Sequence, residues 1–233
     1  MTGIELSGIV LAVGRPSVRY ALTPDPFQAD IGQTRIVIAP PPVRRALADV
    51  LTGLAAPVAG EVSVRGIAVT PRPPGDRGIA LVPADGGLLP HLTVEQNAGY
   101  ALAGTGTREW RRTQVGRVLA ELELTSLRRL RPHWLSAEQR MRVAVARARC
   151  LPGGTRAVVI EDSGTAAGRA AVMTAAAGHE LAVVVLAGDE SRGRELGIRE
   201  PAGTLSRCRP VPAEVSGPAG SPQEPARPEE DSA

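Results

Sequence analysis

The sequence predicts an α/β protein: a parallel sheet covered on both faces, joined to a small β portion and a helical lobe. Three observations predict it. "RAVVIED" at 156–162 and "LAVVVLA" at 181–187 are continuous apolar, β-branched runs, the pattern of strands buried on both faces. Segments with helical periodicity lie between these runs, as crossovers between parallel strands require. At the start, residues 1–39 read as short strands separated by turns, ending in "TRIVIA".

The elements follow in order. Val43, Leu47, Val50, Leu51 and Leu54 recur at helical spacing, which predicts a helix over 43–54. "GEVSVRGIAV" at 60–69 alternates with period two, as a half-buried strand does, and "RGIALVPA" at 77–84 is a further short strand. From about 93 to 150 the chain becomes helical. Val115, Val118, Leu119 and Leu122 form one apolar stripe, and another helix begins after Leu135. From about 210 the composition shifts to Pro, Ala, Gly, Ser and Glu with almost no large apolar side chains. Such a stretch does not bury enough surface to offset its ordering entropy. This predicts a folded unit over 1–209 and a disordered tail over 210–233.

Composition narrows the function classes. The 233 residues suffice for a substantial core, and with 43% hydrophobic but only 2% aromatic residues that core is aliphatic. All 27 basic residues are arginine, and the net charge is only +3 with acids interspersed, so no nucleic-acid partner is expected. Cys150 and Cys208 are isolated thiols without metal-ligand or redox spacing, and no metal site is expected. "MTGIELSGIV" lacks a basic segment followed by a long apolar run, so no signal peptide is expected. Apolar runs such as "LAVVVLAG" at 181–188 fall far short of the roughly 20 residues that span a bilayer. Direct membrane insertion is therefore not expected.

Five segments stand in a telling order: "GLAAPVAGEVSVRG" at 53–66, "LLPHLTVEQNAGYAL" at 88–102, "HWLSAEQRMRVAVARA" at 133–148, "RAVVIEDSGTAAG" at 156–168 and "LAVVVLAGDE" at 181–190. Over roughly residues 4 to 200 they resemble the nucleotide-binding domain of ATP-binding cassette (ABC) transporters. The resemblance implies a P-loop NTPase fold of the ABC ATPase type, with a RecA-like core, a small antiparallel β portion and a helical subdomain.

It also implies where the chemistry ought to sit. A phosphate loop needs G-x-x-x-x-G-K-[ST]: glycines wrap the phosphates, backbone N–H groups donate to them, lysine meets the terminal phosphates, and the hydroxyl holds magnesium. Counting back from Gly53, the glycine positions fall on Ile38 and Val43, the lysine on Arg44 and the hydroxyl on Arg45. Pro40, Pro41 and Pro42 have no N–H to donate. Arg44 remains a candidate for attracting an anion at the helix start. The base-stacking aromatic falls near Val13, the loop glutamine on Ala84, the switch histidine on Gly188 and the D-loop aspartate on Gly168.

The Walker B position holds two carboxylates in the order Glu161–Asp162, where the family has aspartate for magnesium followed by a glutamate base. The signature keeps Leu135, Ser136 and Gln139 but has Ala137 and Glu138 in place of glycines. Ser136 and Gln139 have two readings: contact with a nucleotide held by a partner subunit, or the S-x-x-Q capping box of the next helix.

The resemblance, with these altered positions, implies a degenerate, catalytically inactive ATP-binding subunit of an ABC transporter. Its partners would be a transmembrane permease and, in a heterodimer, an intact ABC ATPase. ATP and magnesium would bind only at a composite site with that partner. Its place would be cytoplasmic, at the inner face of the membrane through the permease, with the surface near residues 84–100 and the helical lobe receiving the permease's coupling helix. The alternative is a soluble scaffold or regulatory protein that retains the fold without transport.

Overall fold

The computed structural model describes residues 1–14, 17–177, 180–198 and 206–212. Three strands, β1 (Thr2–Val13), β2 (Val18–Thr23) and β3 (Phe27–Asp30), precede β4 (Thr34–Ile38) and helix α1 (Pro41–Thr52). A hairpin of β5 (Ala59–Val64) and β6 (Ile67–Ala68) and then strand β7 (Ile79–Val82) lead to helices α2 (Val94–Ala98), α3 (Arg108–Glu121) and α4 (Ala137–Arg149). The chain then alternates through β8 (Ala157–Glu161), α5 (Ala166–Ala176), β9 (Ala182–Ala187), α6 (Ser191–Glu195) and β10 (Ser206–Val211).

The described strands form one mixed sheet in the order β6-β5-β1-β2-β10-β4-β9-β8-β7, with β3 also beside β1. From β10 to β7 every pairing is parallel, and the remaining pairings are antiparallel. β10 joins the halves: it runs parallel to β4 on one edge and antiparallel to β2 on the other.

Each face of the parallel half carries its own core, because successive side chains of a strand point to opposite faces. Val159, Val184 and Leu186 meet Val43, Leu47 and Leu51 of α1, in a core that continues into Ile4, Leu6 and Phe27 of the β portion. Val158, Ile160, Val183 and Val185 face the opposite way, onto Val143 and Val145 of α4, Val172 of α5 and the predicted stripe Val115, Val118, Leu119 and Leu122.

Three sequence expectations need correction. The helix predicted over 43–54 starts at Pro41 and stops at Thr52. Proline is tolerated in a first helical turn, and Gly53 ends the helix at φ 86°, a left-handed conformation that costs glycine nothing. Leu54 therefore lies off the helix and 63% exposed. The strand predicted over 60–69 is a hairpin, because Arg65 (φ 51°) and Gly66 (φ 75°) make a two-residue left-handed turn. Finally, β10 includes Pro210 and Val211, which composition placed in the tail; they are held by register with Tyr20 and Arg19. The rest of that segment, 213–233, lies outside the described residues.

Candidate functional site

The expected phosphate loop is replaced by a two-residue connection, Ala39–Pro40, between β4 and α1. A helix N-terminus normally leaves its first N–H groups unpaired, and those groups make it an anion site. Here Pro40 is the N-cap and Pro41 and Pro42 follow, so three of those donors do not exist. The next two are already used: the N–H groups of Val43 and Arg44 both donate to the Pro40 carbonyl at 3.0 Å. Ala39 donates to the Ala187 carbonyl at 3.0 Å, which extends the sheet ladder instead.

Four of the positions singled out in the sequence do converge. Arg44, Ala84, Glu161 and Asp162, with Pro41, line a pocket of about 150 Å³, against the roughly 300–1,000 Å³ of usual ligand sites. Arg44 Nη1 donates to the Asp162 backbone carbonyl at 3.2 Å, and its Nε is buried with no partner among the described residues. Arg45 turns away from this pocket and pairs with Asp49 one helical turn on, Nε to Oδ1 at 3.2 Å.

The two carboxylates have different fates. Asp162, its side chain 2% exposed, is gripped by Arg192 of α6: Nε donates to Oδ2 at 2.7 Å and Nη2 to Oδ1 at 2.9 Å. The hydrogen bond with Asp162 raises the Arg192 pKa well above its ordinary value, outweighing the opposite pull of burial. Arg192 also reaches Glu195. Glu161 lines the pocket, and among the described residues no side chain pairs with it. No group of three His, Cys, Asp or Glu side chains among the described residues is placed to hold a metal ion.

Ser136 and Gln139 lie outside this pocket, at the start of α4, where they make the reciprocal capping box. Ser136 Oγ accepts from the Gln139 N–H at 3.1 Å, and Gln139 Oε1 accepts from the Ser136 N–H at 2.9 Å. At the D-loop position, Gly168 sits in the first turn of α5, whose N-cap Thr165 accepts from the Gly168 N–H at 3.2 Å. A Cβ there would lie 2.5 Å from Ser163 Oγ and 3.0 Å from Asp162 Oδ1, so a larger residue would displace these side chains.

Three positioning residues were not found by sequence reasoning. Arg77, 3% exposed, donates to the carbonyls of Val50 and Thr70 at 2.8 and 2.5 Å and to that of Arg72 at 2.8 Å, closing the C-terminal end of α1. Burial lowers its pKa. Arg147 of α4 holds the turn after β7 through the carbonyls of Gly87 and Gly86, at 2.5 and 2.9 Å. Fully buried Asn97 accepts from the Leu89 N–H at 2.8 Å and donates to the carbonyls of Leu89, Leu92 and Thr93, fixing the loop ahead of α2. The only available signal was negative: a polar group inside an apolar pattern needs partners. Burial pushes the Cys150 and Cys208 thiols up to about 11 and about 12, consistent with inert core residues.

The comparisons with known proteins agree with this architecture. The ABC transporter family model matches residues 46–154, so positions 38–45 and 161–162 lie outside the matched stretch. The molybdate/tungstate import ATP-binding protein WtpC of Archaeoglobus fulgidus is 39% identical over 100 residues, 43% of this chain and 41% of that protein. The thiamine import ATP-binding protein ThiQ of Brucella suis is 29% identical over 146 residues, 62% of this chain and 58% of that one. The matches thus span about two fifths to three fifths of these curated relatives. The crystal structure of the ADP conformation of an ATP-binding cassette of an ABC transporter superposes with a TM-score of 0.66 over 84% of this chain and 85% of that one, at 16% identity. A dimeric post-hydrolysis cassette bound to ADP and phosphate gives 0.59 over 80% and 88%, at 19% identity. Residues 46–154 thus match the ABC transporter family model, and the fold of the chain is that of ATP-binding cassettes.

Proposed function

We propose that this chain is a non-hydrolysing ABC-type subunit that docks on a membrane permease and pairs with an ATPase whose own phosphate loop is intact. The observation that carries the reading is the start of α1, where three prolines and two internally bonded N–H groups leave no backbone donor for a phosphate. A magnesium-nucleotide does not fit these residues. Its phosphates find no cradle, and its metal finds Asp162 already paired with Arg192. Phosphoryl transfer is mostly positioning and charge stabilisation, so Glu161 has nothing to act upon. Nucleotide would then be held at a composite site with the partner, and the chain would contribute structure at the cytoplasmic face of the membrane.

The permease reading is supported by a cleft of about 300 Å³ along the outer edge of β7, the last strand of the sheet. Leu54, Leu81, Ala101 and Leu151 line it, between the end of α1 and the helical lobe. An apolar segment of a partner would bury Leu54 there. No helix among the described residues is long and apolar enough to cross a membrane, so attachment would come through that partner.

The test is steady-state phosphate release by the purified chain with magnesium and ATP. The rate is expected to match the protein-free control. Sustained turnover that Glu161→Gln abolishes would overturn the reading.

A further inference from the structure

A polar hollow of about 470 Å³ opens among Arg72, Asp76, Gly78, Gly153, Gly154 and Arg156. Its size falls within the roughly 300–1,000 Å³ of usual ligand sites. Gly78 and Arg156 immediately precede β7 and β8, whereas Glu161 ends β8. The hollow therefore lies at the opposite end of the parallel strands from the Glu161 pocket, roughly 17 Å away along β8.

Backbone contacts hold both walls. The Arg156 N–H donates to the Gly78 carbonyl at 2.8 Å, which ties the two strand starts together. The Arg156 side chain then lies across Gly78, where a Cβ would come 3.3 Å from Nη1 and 3.4 Å from Cγ. Gly78 also holds φ 67°, a left-handed conformation that glycine adopts without penalty. On the other wall, the Arg72 N–H donates to the Val69 carbonyl at 2.9 Å, and the Arg72 carbonyl accepts from Nε of buried Arg77 at 2.8 Å. The Asp76 N–H donates to the Pro73 carbonyl at 3.0 Å. Three charged side chains thus line one hollow on fixed backbone. Among the described residues, the Arg72 and Arg156 guanidiniums make no hydrogen bond or ion pair, and Asp76 pairs with neither. Arginines elsewhere, such as Arg45 and Arg117, do have a carboxylate partner.

We propose that this hollow binds a small phosphate monoester that carries an ammonium group, the phosphate bridging Arg72 and Arg156 and the ammonium meeting Asp76. Two guanidiniums suit a phosphate dianion, whose oxygens accept from both forks at once. Asp76 repels a bare polyphosphate but pairs with a cation on the same ligand. One molecule of this class therefore satisfies all three side chains. A phosphodiester carries a single negative charge, so the free monoester suits the two arginines better than a lipid headgroup bearing the same groups. The inference stands on the hollow alone and does not require the nucleotide site to be inactive.

The test is calorimetric titration of the full chain at about pH 8, where a phosphate monoester is a dianion. The probes are phosphoethanolamine and ethyl phosphate, which lacks the ammonium. Phosphoethanolamine is expected to bind saturably, and ethyl phosphate about tenfold more weakly, the worth of one charged hydrogen bond. Arg156→Gln is expected to weaken phosphoethanolamine by about tenfold or more. Arg169→Gln, at an exposed position on α5, is expected to leave it unchanged. Asp76→Asn is expected to erase the preference between the two probes. No saturable binding of phosphoethanolamine overturns the proposal, as does equal affinity of the native chain for both probes. An equal loss in Arg156→Gln and Arg169→Gln also overturns it. Vesicles of phosphatidylethanolamine in phosphatidylcholine are expected not to sediment the chain. Sedimentation on them without binding of the free probe would assign the hollow to a lipid headgroup and overturn the proposal. The comparison of the two probes needs only the native chain, so a variant that fails to fold does not protect the proposal.

Discussion

Arg192 holds Asp162 with two parallel donors, Nε to Oδ2 at 2.7 Å and Nη2 to Oδ1 at 2.9 Å, across 30 residues of sequence. The pair is nearly out of solvent, at 11% and 2% side-chain exposure. Removing one partner leaves the other charge buried and unpaired. Arg192→Ala is therefore expected to lower unfolding free energy by about 3 kcal/mol in urea titrations. The double variant Arg192→Met, Asp162→Leu removes both charges and is expected to regain most of that loss. A double variant no more stable than Arg192→Ala would show that the pair does not carry the effect.

Arg77 is the second buried guanidinium, and its partners are carbonyls rather than carboxylates. Arg77→Ala leaves the end of α1 and the 70–72 segment with unsatisfied acceptors, and a loss of about 3 kcal/mol is expected. Arg77→Lys is expected to rescue little, because an ammonium does not reproduce the planar fork that spans Val50, Thr70 and Arg72. Full rescue by lysine, measured in the same denaturation experiment, would count against this account of the helix end.

Two helical glycines should answer the same substitution with opposite signs. At Gly168 a Cβ meets Ser163 Oγ at 2.5 Å, and Gly168→Ala is expected to cost about 1–3 kcal/mol. Gly168→Asp adds repulsion with Asp162 and should cost more. In α3, nothing lies within 4 Å of the Cβ position of Gly116, and Gly116→Ala is expected to stabilise by about 0.5–1 kcal/mol. Thermal melts of the variants decide it.

Ser136 at the signature position is explained locally by its capping box with Gln139. Ser136→Ala is expected to cost about 1 kcal/mol, and Ser136→Asp, a competent cap, much less. If the aspartate variant were as unstable as the alanine one, the cap would not be what the serine supplies.

Much of this architecture was legible because it is written in local patterns. The buried strands are legible as β-branched runs, and S-x-x-Q marks the start of α4. Counting back from Gly53 sets the expected phosphate-loop positions on Ile38, Val43, Arg44 and Arg45, and of these Arg44 lines one pocket with Glu161 and Asp162. What escaped was non-local or context-dependent. β10 is defined by pairing with β2 and β4, more than 160 residues distant, and its own residues show no apolar alternation. No spacing rule links Arg192 to Asp162, or Arg77 to the carbonyls it closes. Pro41 and Pro42 read as a turn because proline breaks helix interiors, yet in a first turn the missing N–H costs nothing. That exception lets α1 start at Pro41, where the prolines offer no N–H groups.

The central claim is that α1 has no donors left for a phosphate, and calorimetric titration of the purified chain with ATP and magnesium tests it most directly. Arg44→Lys belongs in the same experiment, since it restores the lysine but not the N–H groups. The account predicts no saturable heat for either protein. Micromolar affinity for ATP in the native chain would contradict it.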